Sequence, residues 1–341
     1  MTTKELNPDQ IALYPLLFEP IYQYRPWGGR RMAGLLKTPL PGEGPIGEAW
    51  ILSDRDDFQS VVANGPLKGQ TIRKLLKESK EQLMGKFVGD FDHFPLLLKF
   101  LDAHEMLSVQ VHPSEAIADL LPVGETAKSE AWVVLEAGNN SHIYAGLKPG
   151  TTKEIIQNAL SDGTVEQHLA SFIPQKGDGI FIPAGTVHAL GGDVVVFEIQ
   201  QNSDVTFRLY DWNHIDARTG HPRELQIDKA LECIDFKQGI IGPVIPQLEK
   251  EMPAKREMLF KCENFGLWRV EADSMFIVGV AETPRIFVCL NGEGQVEHEG
   301  KSYPIGKGDV MLLPAVVGAC FCKPKGDISL LEISLPENKK S

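Results

Sequence analysis

Short apolar runs closed by turn residues dominate this chain, and they limit what it can fold into. Runs such as WVVLEAG, GIFIPAG, DVVVFEIQ, RIFVCLNGEG and DVMLLPA are rich in β-branched residues and bounded by Gly, Pro or Asp. That punctuation favours antiparallel sandwiches or barrels over alternating β-α units, so the fold is expected to be mainly β. Two stretches break the pattern. Residues 66–90 place Ile72, Leu75, Leu76, Leu83 and Phe87 at helical spacings among charges, and residues 151–171 open on Thr-Thr-Lys-Glu, a capping start.

An internal echo refines the expectation. Residues 176–188 read KGDGIFIPAGTVH and residues 307–319 read KGDVMLLPAVVGA, so Lys-Gly-Asp, four residues and Pro-Ala recur in one frame. The repeat predicts two related β-barrels, a division that also suits a chain of 341 residues. In that frame His188 corresponds to Ala319, which assigns the chemistry to the first barrel. The stretch near residues 238–255, with GIIGPVIPQLEKEMPAK, combines Gly, Pro and charge and predicts the boundary between them.

Composition excludes several classes of function. The formal net charge is −12, with no long Lys/Arg run, which argues against a nucleic-acid or anionic-membrane partner. An anionic ligand must then be held by a few placed cations. The opening MTTKELNPDQ lacks a basic-then-apolar leader pattern, and no apolar run is long enough to span a bilayer, so a cytoplasmic location is expected. Five Cys without a C-x-x-C pair suit reduced, core-filling roles, with Cys320 and Cys322 on one face of a strand.

Spacing separates a few polar residues from the rest. In SVQVHPSE, Gln110 and His112 project to the same face of an extended run, and Glu130 follows His112 by 18 residues in AKSEAWVVLEAG, sharing a strand face with Lys128. His188 closes the Gly-Asp-Gly-Ile-Phe-Ile-Pro-Ala-Gly unit. His112, Glu130 and His188 together offer two imidazoles and one carboxylate, a donor set that suits zinc and other divalent ions and leaves positions open. Gln110 is a weaker, neutral oxygen donor beside them. Glu198 interrupts an apolar strand, where a carboxylate is costly to bury without a partner or a use. Arg208, ten residues later beside Tyr210, Asp211 and Trp212, presents the donor fork that suits an oxyanion or a salt bridge.

In YRPWGGRR, IGEAWILSD, PLLLKFLDAHEMLSVQVHP, KSEAWVVL, GDGIFIPAGTVHAL and EIQQNSDVTFRLYDW the sequence resembles the type I mannose-6-phosphate isomerases, zinc-dependent phosphomannose isomerases of the cupin superfamily, in their short bacterial form. The resemblance covers most of the chain. It implies two cupin (jelly-roll) β-barrels with helical segments attached to the N-terminal one: a catalytic domain over 1–245 and a cupin-like domain without metal ligands over 246–341. It also implies one Zn2+ per chain on His112, Glu130 and His188, with Gln110 matching a further ligand of long members. Arg208 falls on a catalytic position, Lys128 and Glu198 on residues lining the reacting end of the sugar, and Lys99 and Ser108 on positions that contact phosphate. The implied activity is reversible isomerisation of mannose 6-phosphate and fructose 6-phosphate through an enediol, by a monomer or homodimer. The chain departs from the long eukaryotic pattern in lacking a separate large helical domain. Two other readings fit the same donor set: a non-catalytic cupin that binds a sugar phosphate, and a cupin oxidoreductase using iron.

Overall fold

The computed structural model describes residues 12–336; the MTTKELNPDQ stretch lies outside them. The described chain is mainly β and divides into two compact units, residues 20–55 with 95–246, and residues 12–19 with 56–94 and 247–336. No helix among the described residues is long and apolar enough to cross a membrane.

In the first unit a six-stranded antiparallel sheet runs in the order Gly179–Ile182, Glu130–Ala137, Val194–Gln201, Leu96–Ala103, Glu48–Leu52, Ile21–Gln23. A five-stranded sheet runs Leu169–Phe172, Ile143–Leu147, His188–Leu190, Val109–Val111, Phe207–Tyr210. Ile143, Ala145 and Leu190 of the smaller sheet pack against Leu101, Trp132, Val134 and Val196 of the larger, so the two sheets face each other in a jelly-roll sandwich. Period-2 alternation sends Phe207 and Leu209 outward, where helices Lys153–Asp162 and Ile227–Cys233 cover them with Ile156, Ala159, Ala230 and Leu231. Thr152 caps the first of these helices by accepting from the Ile155 N–H at 3.3 Å, and Gly163 ends it at φ 69°. The helix predicted over 151–171 therefore stops early, and Leu169–Phe172 pairs with Ile143–Leu147 instead.

The second unit repeats the plan with seven strands facing four. Phe287, Met311 and Leu330 pack against Val278, Val296, Cys320 and Cys322, and the last two share the inner face of their strand. All five cysteines are free. The predicted helix over 66–90 becomes two short ones, Ile72–Glu78 and Lys80–Met84, broken at Ser79 (φ −136°, ψ 37°). Both lie in this unit, where Leu83 and Gln82 carbonyls accept from the Ala315 and Val316 N–H groups at 3.0 and 2.9 Å. The strand Leu16–Leu17 joins it too, pairing with Val310–Leu313. The units thus depart from the expected 1–245 and 246–341 division. The helix Lys153–Asp162 lies on the first unit as expected, beside Ile227–Cys233, which the sequence reading did not identify, while the 66–90 helices lie in the second. Helical periodicity identifies an apolar face but not the sheet that receives it.

The Lys-Gly-Asp echo is a shared piece of backbone engineering. Asp178 accepts from the Gln175 N–H at 2.8 Å, and Asp309 accepts from the Gly306 N–H at 2.8 Å. Gly177 (φ 93°) bonds to the Val134 carbonyl at 2.8 Å, and Gly308 (φ 86°) bonds to the Cys289 carbonyl at 2.9 Å. Positive φ at both turns is what the repeated glycine supplies. The pairings Ile182↔Glu130 and Leu313↔Arg285 extend the match. Arg285 therefore stands where the first unit has Glu130, and its guanidinium lies 3.4 Å from Glu332. Phe287 is 2% exposed. Phe287→Ala is expected to destabilise the protein by about 3–5 kcal/mol in chemical denaturation, whereas Phe321→Ala, on the exposed side of its sheet, shifts it by less than about 0.5 kcal/mol.

Candidate metal centre and its surroundings

Two rows of polar side chains meet inside the first sandwich. Across the six-stranded sheet, cross-strand pairing sets Trp50, Lys99, Glu198 and Trp132 side by side. Across the five-stranded sheet it sets His188, Gln110 and Arg208 side by side. Directly paired residues share a face, so each row presents its side chains together. Glu130 lies two residues from Trp132 on the same side of its strand, and His112 follows the Val109–Val111 strand just before Pro113.

His112, Glu130 and His188 converge, with one donor atom from each lying within 4.8 Å of the others. All three are at most 1% exposed. The His112 Nδ1–H donates to the Val205 carbonyl and the His188 Nδ1–H to the Thr186 carbonyl, both at 2.9 Å. A carbonyl can only accept, so each ring carries a proton on Nδ1, and in the neutral ring the Nε2 lone pair turns inward. Those lone pairs lie 3.2 Å from the Glu130 carboxylate oxygens. Neither Glu130 oxygen nor the His112 Nε2 has a hydrogen-bond partner. Burial, then the charge of Lys128, pushes the His112 imidazole down to about 3, so it stays neutral at pH 7. For Glu130 burial acts upward, but Lys128 and the two imidazoles outweigh it and hold the carboxyl well below its usual range. Three buried, electron-rich atoms with no proton to share fit a divalent cation of the N/O-binding type. Gln110 lies at the edge of this group, its amide 3.2 Å from the His188 Nε2.

Lys128 and Glu198 complete the interior. The Lys128 ammonium contacts Glu130 at 3.0 Å. The Trp132 indole N–H donates to Glu198 Oε2 at 2.9 Å, while Glu198 Oε1 is buried without a hydrogen-bond partner. Burial, then the negative charge of Glu130, raises the Glu198 carboxyl above its usual range. Arg208 is partly buried; it donates from Nε to Ser108 Oγ at 3.2 Å and from Nη1 to the Glu224 carbonyl at 2.7 Å.

Lys99 and Ser108, paired at the sequence level, separate here. Ser108 stands beside Arg208 on one sheet, and Lys99 stands on the other, 3.4 Å from Glu198 Oε1. Sequence reasoning left Arg25, Glu48 and Asp204 unassigned. Glu48 and Arg25 form a two-bond ion pair, at 2.9 and 3.1 Å. Asp204 Oδ1 lies 3.8 Å from the Lys99 ammonium. The available signal was Glu48 itself, a carboxylate opening the otherwise apolar run EAWIL.

Comparison with known proteins places this geometry in context. The family model described as phosphomannose isomerase type I, catalytic domain, matches residues 16–145. Mannose-6-phosphate isomerase ManA of Bacillus subtilis is 35% identical over 312 residues, covering 89% of this chain and 94% of that protein. The mannose-6-phosphate isomerase of Streptococcus mutans is 31% identical over 304 residues, covering 89% and 93%. Among solved structures, the mannose 6-phosphate isomerase of Bacillus subtilis superposes with a TM-score of 0.86 at 30% identity, covering 94% of this chain and 99% of that one.

His188→Ala is expected to lower the divalent metal retained after dialysis to well under half the parent's, measured by elemental analysis, with the circular dichroism spectrum unchanged. Equal retention in variant and parent removes His188 from the centre.

Proposed function

The chain belongs to the type I phosphomannose isomerases, and on that premise we propose that it interconverts mannose 6-phosphate and fructose 6-phosphate at one zinc ion held by His112, Glu130 and His188. Membership makes it an isomerase, which answers the binding-module and oxidoreductase alternatives. The observation that supports the zinc assignment is the buried convergence of two imidazole nitrogens and a carboxylate, in which the His112 Nε2 and both Glu130 oxygens have no hydrogen-bond partner.

Aldose–ketose isomerisation removes a proton from carbon 2 and returns one to carbon 1, through an enediol whose oxygens gain negative charge. A bound zinc ion supplies Lewis-acid stabilisation of that charge. Lys128 and Arg208 add fixed positive charge from the two sheets, already oriented before substrate arrives. Arg208 is braced by Ser108 and the Glu224 carbonyl, so its guanidinium loses little freedom on binding. Glu198 moves the proton: Trp132 holds Oε2, and Oε1 is left as the acceptor that takes the carbon 2 proton and delivers it to carbon 1. Ser108, beside Arg208, lies with the polar row of the five-stranded sheet, where it can donate to a substrate oxygen.

A coupled assay with mannose 6-phosphate, run with and without chelator, tests the reading. Turnover is expected to fall to background with chelator and to return with Zn2+, and a chelator-insensitive rate counts against the metal. Arg208→Ala is expected to lower kcat by about a hundredfold or more while the melting temperature moves by no more than about 2 °C. Parallel losses of activity and folding would make Arg208 structural.

A further inference from the structure

Glu48 is a buried carboxylate beside this site that the proposed reaction leaves without a task. It stands two residues before Trp50 on the Glu48–Leu52 strand, so both side chains project to one face. Both its oxygens are tied to rigid donors: Oε1 accepts from Arg25 Nε at 2.9 Å, and Oε2 accepts from Arg25 Nη2 at 3.1 Å and from the Trp50 indole N–H at 2.6 Å. Burial acts to raise its pKa, but Lys99 and Arg25 outweigh it and hold the carboxyl at about 2. Glu48 is therefore a fixed anion at any working pH.

What this anion faces is Lys99. The ammonium lies 3.9 Å from Glu48 Oε2, 4.9 Å from the centre of the Trp50 ring and 3.4 Å from Glu198 Oε1. Lys99 is 3% exposed, so its stem has little room to relocate. A buried ammonium offered a single carboxylate closes to about 2.8 Å. Here it stops short of Glu198, and Glu198 Oε1 remains without a hydrogen bond although a cation stands next to it. The Trp50 ring, the buried Glu48 anion and the more exposed Asp204, 3.8 Å away, all draw the same charge off Glu198, and of the two carboxylates Glu48 is the less screened by solvent.

We infer that Glu48 is a positioning residue: with Trp50 it holds the Lys99 ammonium back from Glu198, leaving Oε1 of that carboxylate open to the substrate proton. The inference rests on the isomerase reading for the part that Glu198 plays. Neutralising Glu48 lets Lys99 close on Glu198 and occupy the oxygen that the proton transfer needs. Lys99 thereby works at the reacting end of the site, away from the Ser108 and Arg208 row.

The test is a double-mutant cycle in metal-loaded, full-length protein. Glu48→Gln keeps the shape and removes the charge. It is expected to lower kcat by about tenfold to a hundredfold, with KM within about threefold and metal content unchanged. In a Lys99→Met background the same change is expected to alter kcat by less than about threefold, because the residue through which Glu48 acts is gone. A kcat for Glu48→Gln within twofold of the parent, or an equal loss in both backgrounds, overturns the inference. The Trp50 indole resonance, assigned with Trp50→Phe in 1H–15N spectra, is expected to move upfield in Glu48→Gln whether or not turnover is detected. An unmoved resonance overturns the arrangement itself. A moved resonance in a parent protein that does not turn over mannose 6-phosphate fails the isomerase reading and leaves the Glu48 geometry standing.

Discussion

Two imidazole lone pairs and a carboxylate face one another across 3.2 Å in the interior of the first sandwich. The ring Nδ1–H groups are committed to the Val205 and Thr186 carbonyls, and all three side chains are at most 1% exposed. Such an arrangement is repulsive on its own, because unpaired buried acceptors lose their hydration and gain nothing in return. Lys128, 3.0 Å from Glu130, relieves only part of it. The rest of the unit is organised around that deficit: two sheets hold the donors apart at fixed positions, and the outer helices keep the smaller sheet from relaxing.

The same economy of protons extends across the six-stranded sheet. Trp50, Lys99, Glu198 and Trp132 alternate aromatic, cation, anion and aromatic over four adjacent strands. Each charge has a neighbour of opposite sign or an indole within reach, so the row is electrically balanced while one Glu198 oxygen stays uncommitted. A reactive acceptor inside a protein is a strained possession, and it persists only where the surrounding framework leaves its neighbours no better place to go.

Much of this was legible in the sequence because strand geometry is regular. A spacing of two placed Gln110 with His112 and Lys128 with Glu130, and the Lys-Gly-Asp turns announced a repeat whose backbone bonds coincide almost atom for atom. What escaped was partnership between distant segments. Period-2 alternation tells which face a side chain takes, but it does not say which strand lies next to it. Lys99 and Ser108 therefore read as one group although they belong to opposite sheets. Arg25 and Glu48 meet 23 residues apart through sheet register and loop path, neither of which has a local signal. The 66–90 helices failed for a related reason, since their destination was set by main-chain donors at Ala315 and Val316, far along the chain.

The duplicated frame also has an asymmetry of supply. At the place of Glu130 the second unit carries Arg285, whose charge answers the carboxylate of Glu332. A guanidinium is delivered by the ribosome in fixed stoichiometry and cannot dissociate, be chelated or be exchanged for a competing ion. The ion pair at that place thus needs no dissociable cation, whereas the matching carboxylate of the first unit stands among donors that could hold one.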